Sequence, residues 1–386
     1  MQIDFLKEAE AISPELLELR RAIHRCPELG NHEFKTSARI EAFLNTLGIE
    51  TQRMLDTAVV GTLRGALPGP TVALRADMDA LPVTEATGCA FASENPGVMH
   101  ACGHDVHMSA ALGAAKLLSS HRDALRGTVK FFFQPDEEGS GGAQRMIDAG
   151  CMAGVEAAFG CHVDPALPAG SVGVRYGKFY AASDNFIVTV HGKSAHGAMR
   201  EKGIDALAAA AEMVTALLAL PQTLLPERSV VTVGKFTSGT VDNVIADRAE
   251  FRGILRTLGP DSRAVMKARL RQTLDAVAER TGTTVELTLR TSYSGIVNTD
   301  AETAHVQRTA EALLGPEKVS VIAEPLMISE DFGCYVDAAA GSFYHVGAGS
   351  PHPLHSPEFL PDDRAVTTAA AMHAAVLWTW LEQNTD

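Results

Sequence analysis

Positive charge is scarce in this chain. Its 386 residues hold 33 Lys and Arg against 47 Asp and Glu, a formal net charge of −14, which repels phosphate backbones and anionic lipid over most of the surface. Neither nucleic acid nor a membrane is an expected partner. Long apolar runs are missing too, since no segment reaches about 18 uninterrupted apolar residues. The opening MQIDFLKEAEAISPEL is acidic and broken where a secretory leader would be basic and then apolar, so a cytoplasmic protein is expected. Cysteine is sparse: Cys26, Cys89, Cys102, Cys151, Cys161 and Cys334 form no dense framework, and reduced thiols are expected in place of a disulfide scaffold. At 46% hydrophobic and 21% charged residues the composition is that of an ordinary globular protein, long enough for two or three domains of roughly 100–200 residues.

What is present falls into two textures. Ser13-Pro14 suits a helix opening with proline at its first position, and residues 57–65 (TAVVGTLRG) and 71–77 (TVALRAD) read as β runs. Val106–Ser120 is an Ala- and Leu-rich helix, Thr128–Gln134 suits a strand buried on both faces, and Gly142–Ala149 is helical again. This alternation predicts an α/β fold with a parallel-rich sheet flanked by helices. Near residue 180 the pattern changes. Asn185–His191, Val230–Phe236 and Ala249–Leu255 alternate around helices at Asp205–Leu220 and Ser262–Thr281, as open-faced antiparallel strands do. The first texture returns after about residue 293 and ends in a helix at Asp363–Leu381. The expected organisation is one α/β domain of residues 1–180 and 294–386 with an α+β domain of residues 181–293 inserted. The insert holds 14 Lys and Arg against 12 Asp and Glu, a net of +2 that leaves −16 for the remainder.

Potential metal ligands crowd where β runs end. Met99–His107 contains Cys102, His104 and His107, with Gly103 allowing the backbone to turn; thiolate and imidazole suit a borderline-soft divalent ion. Asp136-Glu137-Glu138-Gly139 follows the 128–134 run, where an open parallel sheet gathers ligands. Cys161-His162-Val163-Asp164 follows another short apolar run, and His352-Pro353-Leu354-His355 lies far downstream. Consecutive carboxylates suit hydrolysis, because one can bind metal while the other takes a proton from water.

The arrangement resembles the M20 metallopeptidase and amidohydrolase family, in the branch of hippurate hydrolases, N-acyl-amino-acid amidohydrolases and auxin-conjugate hydrolases. The resemblance spans most of the chain, through Arg20-Arg21, His24, Pro27–Leu29, Leu74–Pro82, Met99–His107, Asp136–Gly139, His162, Ser194–Ala198, Asn243, Arg256, Ser329–Phe332 and His355-Ser356. It implies two divalent metal ions (Zn, Mn, Co or Ni) held by Cys102, His104, Glu138, His162 and His355, with Cys102 as the bridge. Glu137 is then the general base and later the acid. Asp79 orients an imidazole ligand, unless it is a helix N-cap or turn carboxylate. His107 is read as supporting structure and not as a ligand.

The resemblance further implies that residues 1–180 and 294–386 form the catalytic domain, and that residues 181–293 form a lid or dimerisation domain. His196 would reach a partner subunit's active site in a homodimer or tetramer, and Asn243 and Arg256, contributed to that site by the same neighbouring subunit as His196, would clamp a substrate carboxylate. The implied reaction is hydrolysis of an N-acyl amino acid, hippurate-like or N-acetylated; a dipeptidase or carboxypeptidase of the same family is the alternative. A binding protein without catalysis would lack the base, and Glu137 is present. Two departures, Arg200 and Ala246 where the family usually has proline, bear on the shape of the substrate pocket.

Overall fold

The computed structural model describes residues 3–224 and 227–384. It divides into two compact units. One runs to Gly177 and resumes with Val297–Glu324 and again from Asp331; the other is Lys178–Ile296 with Pro325–Glu330. The second unit is thus three residues wider at each edge than the expected 181–293. It also claims Pro325–Glu330, because Leu326 N–H donates to Phe179 O and Ala181 N–H donates to Leu326 O. Such a pairing across some 145 residues leaves no periodicity for a sequence reading to find.

The first unit is built on an eight-stranded sheet ordered Glu50–Met54, Ala58–Arg64, Arg126–Gln134, Leu67–Asp77, Ala157–Asp164, Ala340–Gly347, Val172–Val174, Val319–Val321. Its middle four strands are parallel, and the neighbours flanking those four on either side are antiparallel to them. From Leu67–Asp77 the chain passes through helix His104–Ser120 to the strand on one side, then through Ala143–Asp148 to the strand on the other. This reversal opens a crevice outside the carboxyl ends of the strands, where ligands collect in open α/β sheets.

Helix His104–Ser120 is almost wholly buried because alanine and glycine let its neighbours close in. A Cβ at Gly113 would lie 2.7 Å from Leu16 Cδ1 and 2.8 Å from Ala370 Cβ, so helices Phe5–His24 and Arg364–Gln383 both cross it here. The first helix does not open at Pro14. It starts at Phe5, where the Asp4 carboxylate accepts from Lys7 N–H, and runs through the proline. Burial of Phe5, Ala9, Leu16 and Ile23 outweighs the one backbone bond that proline forfeits.

The second unit is a four-stranded antiparallel sheet, Val230–Ser238, Arg248–Thr257, Ala182–His191, Thr284–Thr291, covered on one face by helices Ala206–Leu224 and Pro260–Thr281. Phe186, Val188, Val190, Phe251 and Leu255 alternate into that core. Arg248, Glu250, Arg252 and Arg256 occupy the opposite face of their strand. Among the described residues no helix is long and apolar enough to cross a membrane.

Candidate metal centre

The ends of the four parallel strands deliver one cluster within the first unit. The buried Cys102 Sγ lies 3.3 Å from His162 Nε2 and 3.3 Å from His355 Nε2, and His355 Nε2 lies 2.9 Å from Glu138 Oε1. The donor atoms of Cys102, His104 and His162 fall within 4.8 Å of one another, and so do those of Cys102, Glu138 and His355. The thiol alone belongs to both triads. Glu137 joins a third group with His104 and Glu138, and is itself buried.

Hydrogen bonds select the imidazole tautomers. A carbonyl oxygen only accepts, so His104 donates Nδ1–H to Asp79 O (2.8 Å) and His162 donates Nδ1–H to Val163 O (2.7 Å). In their neutral forms both rings therefore turn an Nε2 lone pair toward Cys102, the arrangement a metal requires. His107 has no such freedom: Val163 N–H donates to its Nε2 and its Nδ1 donates to Asp77 Oδ1 at 2.6 Å. The Asp79 carboxylate caps no helix. Its Oδ2 accepts from Glu138 N–H at 2.9 Å, so one residue fixes a ligand ring through its carbonyl and a ligand carboxylate through its side chain.

The backbone is bent to present these groups. Gly103, at φ +86, precedes the helix that begins with His104, and a Cβ there would lie 2.5 Å from Val163 Cγ2. His355 (φ +65) and Asp136 (φ +57) sit in the left-handed region that non-glycine residues seldom enter. His355 N–H is tied to Ala101 O at 2.8 Å, which seats the ring over Cys102. Asp136, just before the Glu pair, accepts from Asn31 Nδ2 (2.7 Å) and Ser140 Oγ (2.5 Å), and its N–H donates to Glu33 Oε1 (3.0 Å).

Burial, reinforced by Glu138 and Glu137, pushes the Cys102 thiol well above its ordinary range. Burial alone would lower His104, but Asp77, Asp79 and Glu138 overcome it and bring the ring to about 10. Burial would likewise raise Glu138, yet its hydrogen bond to His355 and the charge of His104 hold it at about 2. Two buried polar atoms at this place, His104 Nε2 and Asp79 Oδ1, have no hydrogen-bond partner. Crowded anionic donors and an imidazole Nε2 without a hydrogen-bond partner fit divalent cations, which would take the place of the His104 proton.

The other expected site residues lie in the second unit. His196 and Asn243 come together: Ala195-His196 pairs antiparallel with Val244-Ile245, and Gly197 N–H donates to Asn243 O at 2.7 Å. His196 is exposed, and its Nδ1 accepts from Ala198 N–H, which leaves Nε2–H as an outward donor. Arg256 is elsewhere. It stands opposite Ser183 at one end of Arg248–Thr257, whereas Asn243 lies beyond the Arg248 end. Eight residues of strand span about 26 Å, so one chain's Asn243 and Arg256 do not grip the same carboxylate. Thirteen residues of separation was no guide to distance, because the intervening chain is an extended strand. Arg256 Nη1 is buried without a partner, and burial lowers the pKa of the group.

Reading the sequence for ligands passed over Arg75, Asp77 and Asp331, all buried and joined by ion pairs of 2.8 Å. The signal existed: Arg75 and Asp77 stand two apart in an otherwise apolar strand, which puts both charges on one face.

Residues 73–379 match the model of peptidase family M20/M25/M40. The chain is 35% identical to N-acetylcysteine deacetylase of Bacillus subtilis over 97% of its own length and 98% of that protein's. It is 36% identical to thermostable carboxypeptidase 1 of Saccharolobus solfataricus, covering 95% of each. Among solved structures, Bacillus subtilis YXEP, described as a dinuclear metal-binding peptidase from the M20 family, superimposes with a TM-score of 0.88 at 34% identity. That match covers 97% of this chain and 99% of the other.

Proposed function

The chain belongs to peptidase family M20/M25/M40, and on that premise we propose that it is a two-metal amidohydrolase that cleaves N-acyl amino acids to a carboxylic acid and a free amino acid. The observation that carries the reading is Cys102 shared between two ligand triads beside the buried Glu137. Cys102, His104 and His162 would hold one ion and Cys102, Glu138 and His355 the other. When bound, such ions polarise the scissile carbonyl and acidify water.

The chain's own residues do the rest. Glu137 takes the proton of the attacking water and returns it to the leaving amine. His196, through Nε2–H, steadies the developing oxyanion of a partner subunit's site, and Asn243, its neighbour in the 195–245 pairing, serves that same site. Arg256, with an unsatisfied guanidinium nitrogen, holds the substrate carboxylate. Since His196 pairs with Val244, beyond the Arg248 end of the strand whose other end carries Arg256, the two act on any single substrate from different chains.

The test is a hydrolysis screen of N-acetyl and N-benzoyl amino acids against Zn, Mn, Co and Ni, read by released amine. Glu137→Gln should keep its metal content and lose about 100-fold or more in kcat, as general-base catalysis contributes 10²–10⁴; near wild-type turnover sinks the assignment. A dipeptidase or carboxypeptidase is the second reading, favoured by the name of the Saccharolobus relative. Peptides cleaved in preference to simple N-acyl substrates would establish it.

A further inference from the structure

Arg75 is fully buried, and each nitrogen of its guanidinium has a partner of its own. Nε donates to Gln134 Oε1 (2.9 Å), Nη1 to Asp77 Oδ2 (2.8 Å) and Nη2 to Asp331 Oδ1 (2.8 Å). Asp331 in turn accepts from Gln134 Nε2 on both oxygens (2.9 and 2.8 Å) and from Ala143 N–H (3.0 Å). The carboxylate is therefore ringed by donors and fixed in orientation. Arg75, pinned by it, fixes Asp77.

From Asp77 the connection runs on to the ligands. Its Oδ1 accepts from His107 Nδ1; His107 Nε2 accepts from Val163 N–H; Val163 O accepts from His162 Nδ1. A second branch is shorter, because Asp77 Oδ2 lies 3.5 Å from His104 Nε2. Both imidazoles of the Cys102–His104–His162 triad thus depend on where Asp77 sits. Among the contacts described, Glu138 and His355 of the other triad meet this chain of groups only at one remove, through Asp79 and Cys102, and their own backbone is placed by Asp79 and Ala101 respectively.

We propose that Asp331 is a positioning residue which, through Arg75 and Asp77, sets the metal affinity of the Cys102–His104–His162 triad and leaves the Cys102–Glu138–His355 triad unaffected. It touches neither substrate nor ion. The inference rests on the reading of the two triads as metal positions. Asp331 is also the first residue of its unit after the Pro325–Glu330 segment of the other, so the point at which the chain re-enters the first unit is bonded into the metal centre.

The experiment is titration of metal-free full-length protein with Co(II), following thiolate-to-cobalt charge-transfer absorption from Cys102 and the visible ligand-field bands. Wild type should take two equivalents. Asp331→Asn keeps the shape but offers an NH₂ where an acceptor is needed, and should weaken one equivalent by about 10–100-fold, the usual cost of disturbing a ligand's support, with the other unchanged. Arg75→Lys, which keeps the charge and loses the fork, should do the same. Leu44→Ala, a core truncation in helix Phe34–Thr46, should lower the unfolding midpoint and leave both affinities intact. Equal affinities in wild type and both variants overturn the proposal, as does equal weakening of both equivalents. If wild type binds no cobalt, the metal reading fails and the proposal with it; if Asp331→Asn does not fold, Arg75→Lys decides.

Discussion

Replacing Cys102 by serine tests whether one sulfur serves two ions. The metal-free thiol is protonated at neutral pH, since burial and the charges of Glu138 and Glu137 raise it far above 7. His104 is protonated as well, at about 10. Loading must then expel roughly two protons per chain between pH 7 and 8, and log K rises with pH until those groups titrate unaided. A serine hydroxyl does not ionise there, so the variant should release about one proton fewer. Each triad also falls from three protein donors to two. Disturbing a ligand's support costs 10–100-fold, so removing the ligand itself should cost at least about 100-fold per ion, ~2.7 kcal/mol at 1.36 kcal/mol per decade. Calorimetric titration of metal-free protein in two buffers of different ionisation enthalpy reads affinity and proton release together. Cys26→Ser and Cys334→Ser, outside both triads, should match wild type. Full occupancy with unchanged proton release in Cys102→Ser would refute the shared-thiolate argument.

Amidating the substrate carboxylate should reduce kcat/KM by roughly 10–150-fold, from a charge-assisted contact of about 1.5–3 kcal/mol; Arg256→Ala should lose as much on the acid and little more on the amide. Mixing Glu137→Gln with His196→Ala under proven subunit exchange should restore activity, and failure to do so removes His196 from the partner's site. His24, which burial would lower, is raised to about 9 by Asp105 and Glu85. Its contribution, about 3 kcal/mol, is fully present below pH ~6.5 and lost as pH climbs through 9; denaturation of wild type and His24→Gln across that window should converge at the alkaline end. Gly113→Ala should destabilise by about 1–2 kcal/mol, because overpacking against Leu16 and the immobile Ala370 Cβ exceeds the gain in helix propensity. A raised denaturation midpoint would contradict the close helix crossing.

The ligands were legible because chemistry concentrates them. The Glu137-Glu138 pair and His162 occur at the ends of apolar runs that the sheet brings side by side, while Cys102 and His104 were marked by their crowding around Gly103 at the start of an Ala- and Leu-rich helix, well beyond the end of strand Leu67–Asp77. Strand periodicity likewise exposed the α+β insert. What stayed hidden depends on long-range registration. The bond of His355 to Ala101, the claim of Pro325–Glu330 on the second unit and the distance between Asn243 and Arg256 are set by strand pairing that local pattern does not encode. Pro14 misled for another reason: local propensity reads a boundary, but burial of apolar residues on both sides carries the helix through.

The contact between Cys102 and His355 joins residues 253 apart in sequence, and this governs the order in which the protein can be made. A chain still emerging from the ribosome completes the helix that begins with His104 and the strand bearing His162 long before it contains His355, and the whole second unit is synthesised in between. Cys102, His104 and His162 are thus all made before the second unit, but both Asp331, which braces their support, and His355 come only after it, so neither cation position is complete until the chain has re-entered the first unit. Metal binding therefore reports on the finished chain and cannot precede synthesis of the second unit.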